Sequence, residues 1–340
     1  MSAPLRLGTR RSALATTQSR WVAARLEETG VRSEIVEVVT EGDVNLAPLT
    51  QIGGTGVFAS ALRRKLQDGD VDFAVHSLKD LPVAPEPGLV VAAIPVREDV
   101  RDVLFSRDRV SLFDLPAGSR VGTGSPRRAA QLRVARPDLV IEGIRGNVET
   151  RISYVTDGRL DAVILAGAGV RRLGLDGGVT EFLPLDVVLP APGQGALAVE
   201  CREGDDAVIA ALRGIEHPET RACVDAERAL LSTLEAGCTA PVGAYARVVD
   251  GGSVVDDGSP TSASEAPTAT FEDPVRNRNF VHVSDRYVRL DAFVGTSDSG
   301  VRVHGEAPLA EASALGITLA TDVLTRLESE GARMATPEDL

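Results

Sequence analysis

The stretch 119–166, SRVGTGSPRRAAQLRVARPDLVIEGIRGNVETRISYVTDGRLDAVILA, decides the fold class. Its apolar runs SRVGTG, DLVIEGI and AVILA are short, rich in aliphatic residues and bounded by Gly, Pro and Asp, as strands are. Between them lie SPRRAAQLRVARP and NVETRISYVTDGRL, whose length and composition predict helices. Strand alternating with helix is the signature of a largely parallel sheet with helices on its faces.

The same alternation continues outward. LRLGT, SEIVEVVT, FAVHSL, LVVAAIP and ALAVEC read as further strands, and SALATTQSRWVAARLEETG and FASALRRKLQDG as further helices. In the first of these helices Leu14, Gln18, Trp21, Val22 and Leu26 recur at helical spacing, and Gly30 stands where a left-handed cap is expected. One α/β unit covers residues 1–95 and a second about 100–190. The Pro/Gly-rich run PAPGQGALAVEC then returns the chain to the first unit. The expected division is therefore domain 1 over 1–95 and 196–215, and domain 2 over 96–195. Domain 3, over 216–340, is a smaller α+β unit. It opens with the helix PETRACVDAERALLSTLEAG, continues with the strands AYARVVDG, YVRLDAFVG and VRVHGEA, and closes with the helix ALGITLATDVLTRLESEGA. Residues 251–275 contain no Lys or Arg and are dense in Ser, Thr, Ala, Asp, Glu and Pro. Such a segment buries too little apolar surface to fold alone, so about 252–285 reads as a solvated insertion between two strands.

Composition narrows the function classes. The chain has 340 residues, 43% of them hydrophobic, and a net charge of −13. No apolar run reaches the roughly 18 residues of a membrane span. The N-terminus MSAPLRLGTRR lacks the apolar core of a signal peptide. Cys201, Cys223 and Cys238 are an odd set without CxxC spacing. Neither a disulfide framework nor a metal site is expected, and the expected compartment is a reducing cytoplasm. The acid excess argues against nucleic-acid binding. The partner class is a small molecule, and the expected state a monomer. All basic residues but Lys65 and Lys79 are arginine. Lysine-poor acidity predicts a halophilic protein, and an archaeal source is expected.

The arginines form local groups: Arg10-Arg11, Arg127-Arg128, Arg145 with Arg151, and Arg171-Arg172, several beside glycine turns. Guanidinium forks bind carboxylates and phosphates bidentately, so the groups suggest a ligand with several acid groups. Codon bias and solubility are the competing account of any single pair. His76-Ser77-Leu78-Lys79-Asp80-Leu81-Pro82 follows the strand VDFAV, and ligands of open α/β sheets lie beyond the carboxyl ends of strands. GTGSPRR (122–128) combines close-approach glycines, a Ser125 cap, Pro126 at the first helical position and two arginines, which together predict an anion site. It is neither a Walker loop nor GxGxxG. Cys238 lies on a Gly-flanked turn, where a thiol is open to reaction, whereas Cys201 and Cys223 lie in packed contexts. No Cys/His or Ser/His/Asp set is visible.

These segments together resemble the porphobilinogen deaminase (hydroxymethylbilane synthase) family. The resemblance is carried in order by LGTRRSALA, VTEGDV, IGGTGVF, DFAVHSLKDLP, REDVRDVLF, LPAGSRVGTGSPRRAAQL, IRGNVETR, DAVILAGAGVRRLGL, LPAPGQGALAVECR and AERALLSTLEAGCTAPVGAYA, over about residues 5–247, and more weakly over 287–331. It implies two type II periplasmic-binding-protein-like lobes plus a smaller α+β C-terminal domain. It implies an enzyme that condenses four porphobilinogen molecules on a dipyrromethane cofactor, held through a thioether at Cys238, releasing ammonia and then hydroxymethylbilane. It implies Asp80 as the catalytic carboxylate. Cofactor contacts fall on Ser77, Lys79, Asp80, Thr123, Ser125, Arg127, Arg128, Arg145 and Gly146, and substrate contacts on Arg10, Ser12, Arg145, Arg151 and Arg172. Two departures stand out: Thr55 replaces a usual lysine, and Ala236 precedes Gly237-Cys238 where the family has glycine. The residues by themselves leave two other classes open. A two-lobed solute-binding module would give Cys238 and the third domain no role. A transferase of phosphorylated substrates would use the GTGSPRR turn equally well.

Overall fold

The computed structural model describes residues 3–38, 57–237, 240–250, 286–297, 299–336 and 339. Thr55, Cys238 and the insertion lie outside the described residues. The chain opens with β1 (Leu5–Arg10), α1 (Ala13–Glu28) and β2 (Ser33–Val38). Ser12 caps α1 by accepting from Ala15 N–H, and Gly30 ends it at φ +87, as expected. After α2 (Val57–Gln67) come β3 (Phe73–Ser77) and β4 (Leu89–Ala93).

The second lobe holds β5 (Asp102–Ser106), β6 (Arg120–Gly122), α3 (Pro126–Ala135), β7 (Val140–Glu142), α4 (Val148–Thr156), β8 (Ala162–Ala166), α5 (Gly167–Arg172) and β9 (Glu181–Phe182). Then β10 (Leu197–Arg202) crosses back, followed by α6 (Asp206–Leu212). The first sheet has the order β2-β1-β3-β10-β4 and the second β7-β6-β8-β5-β9. In each, three parallel strands precede one antiparallel strand, β10 or β5, that has crossed from the other lobe. This repeated order is the type II periplasmic-binding-protein arrangement. The crossing strand β5, the two-residue β9, and α5 and α6 escaped the sequence reading. In β5 the charged Arg101-Asp102 start and the following SRDR mask a run of only four apolar or small residues.

The third sheet is the antiparallel meander β11 (Val242–Asp250), β12 (Arg286–Gly295) and β13 (Gly300–Pro308). The helices α7 (Pro218–Thr233) and α8 (Ala312–Ser329) supply Leu230, Leu231, Leu315, Leu319 and Val323 to a core shared with Val242, Ala244, Val288 and Leu290. Gly316 lets the two helices touch, because a Cβ there would overlap the Ala226 carbonyl. Asp250 pairs with Arg286 at the end of the β11–β12 ladder, so the acidic segment leaves and rejoins the sheet between neighbouring strands. Among the described residues no helix is long and apolar enough to cross a membrane.

Candidate active site

The carboxyl end of β3 runs into a single 3-10 turn, Leu78–Asp80. Leu78 and Leu81 are buried and anchor the turn, while Leu78 N–H donates to the Ala196 carbonyl at 3.0 Å. Alternation then turns Asp80 outward, where it is exposed. Ser77 accepts from Gln18 Nε2 at 2.8 Å. Lys79 donates to Gln194 Oε1 at 3.3 Å. Behind the turn, Arg228 of α7 donates to the carbonyls of Leu81, Pro82 and Val83 at 3.1, 2.8 and 3.3 Å. The third domain thereby holds the segment just after Asp80.

Facing it, β6 leads through Thr123 and Gly124 into α3. Thr123 is buried and its Oγ1 accepts from Ser125 N–H at 3.2 Å. Ser125 occupies the N-cap position, with Pro126 in the first turn, but its hydroxyl makes no capping bond, contrary to expectation. Arg127 and Arg128 also depart from the expected open anion site. Both are buried and turned inward onto Asp102, each with one Nη2 at 2.8 Å from a carboxylate oxygen. Their Nη1 atoms donate to the carbonyls of Leu189 and Ile164. Only their Nε atoms, buried, have no hydrogen-bond partner. Burial alone would raise the Asp102 carboxyl, yet the two guanidiniums hold it well below the usual range. Burial pushes Arg127 down to about 10 against the pull of Asp102.

A consequence is that Arg128→Leu should cost stability as well as any ligand contact. It leaves Asp102 with one guanidinium, and breaking a buried pair costs about 3 kcal/mol. Arg25→Leu, on the exposed face of α1 beside Glu28, should stay within about 0.5 kcal/mol. Chemical denaturation of the two variants checks this; equal midpoints would refute the burial argument.

Arg145 is exposed in the turn before α4, and Gly146 makes that turn at φ +110. Asn147 caps α4 by accepting from Thr150 N–H at 2.8 Å. Arg151, on the first full turn, is half-buried, and its Nε has no hydrogen-bond partner. Burial lowers its pKa, repulsion from Arg128 and Arg145 adds to this, and Asp80 opposes it. The fields of Asp80 from the first lobe and of Arg128, Arg145 and Arg151 from the second thus meet. Lys79 belongs to the same group: burial pushes it down to about 8, with Asp80 and Asp102 pulling up and Arg128 and Arg127 pushing down.

Arg10 and Ser12 sit where β1 passes into α1, at the same carboxyl edge of the first sheet. Arg172, at the end of α5, donates to the Gly195 carbonyl at 2.8 Å and so grips the returning segment. Leu14 of α1 lies 3.6 Å from the Cβ position of Gly169 on α5, so these two helices meet across the lobes. Sequence reasoning missed the buried supports. Asp102 was not singled out, because the short strand that it opens was not read. Glu227, fully buried, receives both Arg97 Nη atoms at 2.7 and 2.9 Å and the N–H groups of Gly193 and Ala246, joining both crossing segments to the third domain. Its place on the inner face of α7 was the one available signal.

Comparison with known proteins shows the family. Residues 5–210 match the family described as porphobilinogen deaminase, dipyromethane cofactor binding domain. Residues 221–255 match porphobilinogen deaminase, C-terminal domain. Porphobilinogen deaminase 1 of Streptomyces coelicolor is 58% identical over 258 residues, 74% of this chain and 81% of the relative. The porphobilinogen deaminase of Thermobifida fusca is 58% identical over 248 residues, 72% of this chain and 78% of the relative. Porphobilinogen deaminase 1 of Streptomyces avermitilis is 48% identical over 338 residues, 95% of each chain. These relatives are actinobacterial and give no support to a halophilic archaeal source. Among solved structures, a putative methionine-binding lipoprotein from Bacillus subtilis aligns over 63% of this chain and 90% of its own at 17% identity and a TM-score of 0.39.

Proposed function

The chain belongs to the porphobilinogen deaminase family, and we infer from its geometry which residues do the work. It is an enzyme of tetrapyrrole biosynthesis that condenses four porphobilinogen molecules on a dipyrromethane cofactor, releasing ammonia and then hydroxymethylbilane. The residues present fit that cofactor, whose pyrrole rings carry several carboxylates. Three buried guanidinium Nε donors, on Arg127, Arg128 and Arg151, have no hydrogen-bond partner, and exposed Arg145 acts on Arg151. Bound through Cys238, the cofactor supplies a free pyrrole position for the first coupling.

The observation that carries the residue assignment is the Leu78–Asp80 turn at the carboxyl end of β3, linked through Lys79 and Gln194 to Asp102 and the arginine pair of the second lobe. Arg145, Arg151 and Lys79 bind acetate and propionate arms as charge-assisted pairs. Ser77, Thr123, Ser125 and the Gly146 turn shape the cofactor side, with the uncapped Ser125 hydroxyl available to a ligand. Arg127 and Arg128 contribute their Nε edges and the positive field around Asp102. Arg10, Ser12 and Arg172 bind the incoming porphobilinogen at the carboxyl edge of the first sheet. Asp80 stabilises the cation left when porphobilinogen loses ammonia, and its carboxylate oxygen accepts the proton released on coupling. The domain division 1–95 with 196–215, 96–195 and 216–340 is supported by the strand membership of the sheets. Both lobes and the cysteine lie on one chain, which supports action as a monomer.

Incubating the protein with porphobilinogen should release ammonia. The acid-denatured protein should give the colour of a dipyrromethane with Ehrlich's reagent. Neither ammonia nor colour from folded protein would sink the assignment.

A further inference from the structure

Gln194 lies in the segment that returns the chain from the second lobe to the first, between Gly193 and Gly195, whose φ values are +76 and +87. It is fully buried, and every polar group it carries is used. Its Nε2 donates to the Val100 carbonyl at 2.7 Å and to Asp102 Oδ1 at 2.8 Å. Its Oε1 accepts from Lys79 Nζ at 3.3 Å. Its backbone carbonyl accepts from Arg97 Nε at 2.8 Å, and its N–H donates to the Ala191 carbonyl.

The orientation of this carboxamide is dictated by its neighbours. Ionised Asp102 only accepts and the Lys79 ammonium only donates, so the amide nitrogen must face the first and the oxygen the second. One neutral group thus bridges an anion of the second lobe and a cation of the first. A lysine ammonium is a point charge on a flexible stem and has no preferred geometry of its own. The charges around it pull in opposing directions: Asp80 and Asp102 attract it, Arg127 and Arg128 repel it. A fixed neutral acceptor gives it a position without cancelling the charge that an acid-bearing ligand would meet. We propose that Gln194 is a positioning residue for Lys79, holding the ammonium beside Asp80 and in register with the Asp102–Arg127–Arg128 cluster across the lobes. The inference rests on the placing of Lys79 in the site above.

The chain's lysine content allows a direct test, because Lys65 and Lys79 are its only two lysines. Lys65 is exposed and paired with Asp70 at 2.6 Å, so it serves as an internal control. Trace acetylation of the full-length protein with acetic anhydride at a series of pH values, read by peptide mass spectrometry, gives the titration of each lysine separately. Lys79 should titrate near 8 in the parent protein. Gln194→Met keeps the length but removes the acceptor, and should lower the Lys79 midpoint by about 0.5 unit. Gln194→Glu sets a carboxylate against the ammonium, and should raise it by about 1 unit. Lys65 should not move in either. Turnover of porphobilinogen by the Met variant should fall at least about tenfold in kcat, with KM changed less.

A loosened core would expose Lys79 and move both variants upward, towards an ordinary lysine. Upward shifts in both, or no shift in either, overturn the contact whatever the activity. Shifts of opposite sign with unchanged kcat overturn the positioning role and show instead that Lys79 stands outside the chemistry. If the Met variant does not fold, Gln194→Asn carries the test: it keeps the carboxamide but draws it back by one methylene, so the Lys79 midpoint must fall while far-ultraviolet circular dichroism and the Lys65 midpoint stay at parent values.

Discussion

Cys238→Ser is expected to emerge as an apoprotein at the mass of its sequence and to turn over no porphobilinogen. The parent protein should exceed its sequence mass by two linked pyrrole units, mapped to the peptide containing Cys238. Elimination among the three thiols supports this. Cys201, on β10, and Cys223, inside α7, are buried, and burial first of all pushes their thiols up to about 11 and about 12. A thiol that titrates so high supplies almost no thiolate near neutrality and is a poor nucleophile. Cys238 follows the end of α7, after Glu235 at φ +50 and the exposed Gly237, where the chain has left the helix. Arg228 on the same helix grips the segment after Asp80, so α7 is tied to the turn that carries that carboxylate. The modification on Cys201 or Cys223 would move the site and leave the activity standing. An unmodified, fully active protein would defeat the cofactor attachment.

Asp80→Asn is expected to fold, to carry the cofactor, and to run at least about 100-fold slower in kcat, a loss of about 2.7 kcal/mol in transition-state stabilisation. Asparagine keeps the shape and loses the charge. The side chain is exposed at the end of a turn whose anchors are Leu78 and Leu81, so unfolding should shift by no more than about 0.5 kcal/mol. The damage should therefore be confined to chemistry. Loss of the Asp80 charge also removes an attraction that opposes the lowering of Arg151. Single-turnover measurement of ammonia release separates the two effects, because an electrostatic contribution to binding appears in KM and a stabilised cation in kcat. Near-normal turnover by the Asn variant would falsify the role of Asp80.

How much of this was legible beforehand differs by element. The parallel strands of both lobes, the long helices and the third-domain meander were readable because each carries its own apolar period and its own Gly, Pro or Ser punctuation. The crossing strand β5 was not. Its pairing partners, β8 and β9, lie about 60 and 80 residues away, and nothing local marks a short strand that begins with an acid. The glycine turn at 122–125 and the helix start at Pro126 were read correctly. The direction of Arg127 and Arg128 was not, because it depends on Asp102, which arrives from that unread strand.

The sequence by itself determined the class of the protein: alternating apolar runs, arginines at glycine turns, one cysteine on a turn, and ten ordered motifs. Those are local properties, written within a few residues of one another. Only the tertiary structure decided which arginines stay exposed and which neutralise a buried carboxylate, and it alone brought Lys79, Gln194 and Asp102 into one line. A buried charge must find its counter-charge in space. The residues that supply it here come from segments 25 to 115 positions apart, whose meeting is fixed by two chain crossings that no local pattern records.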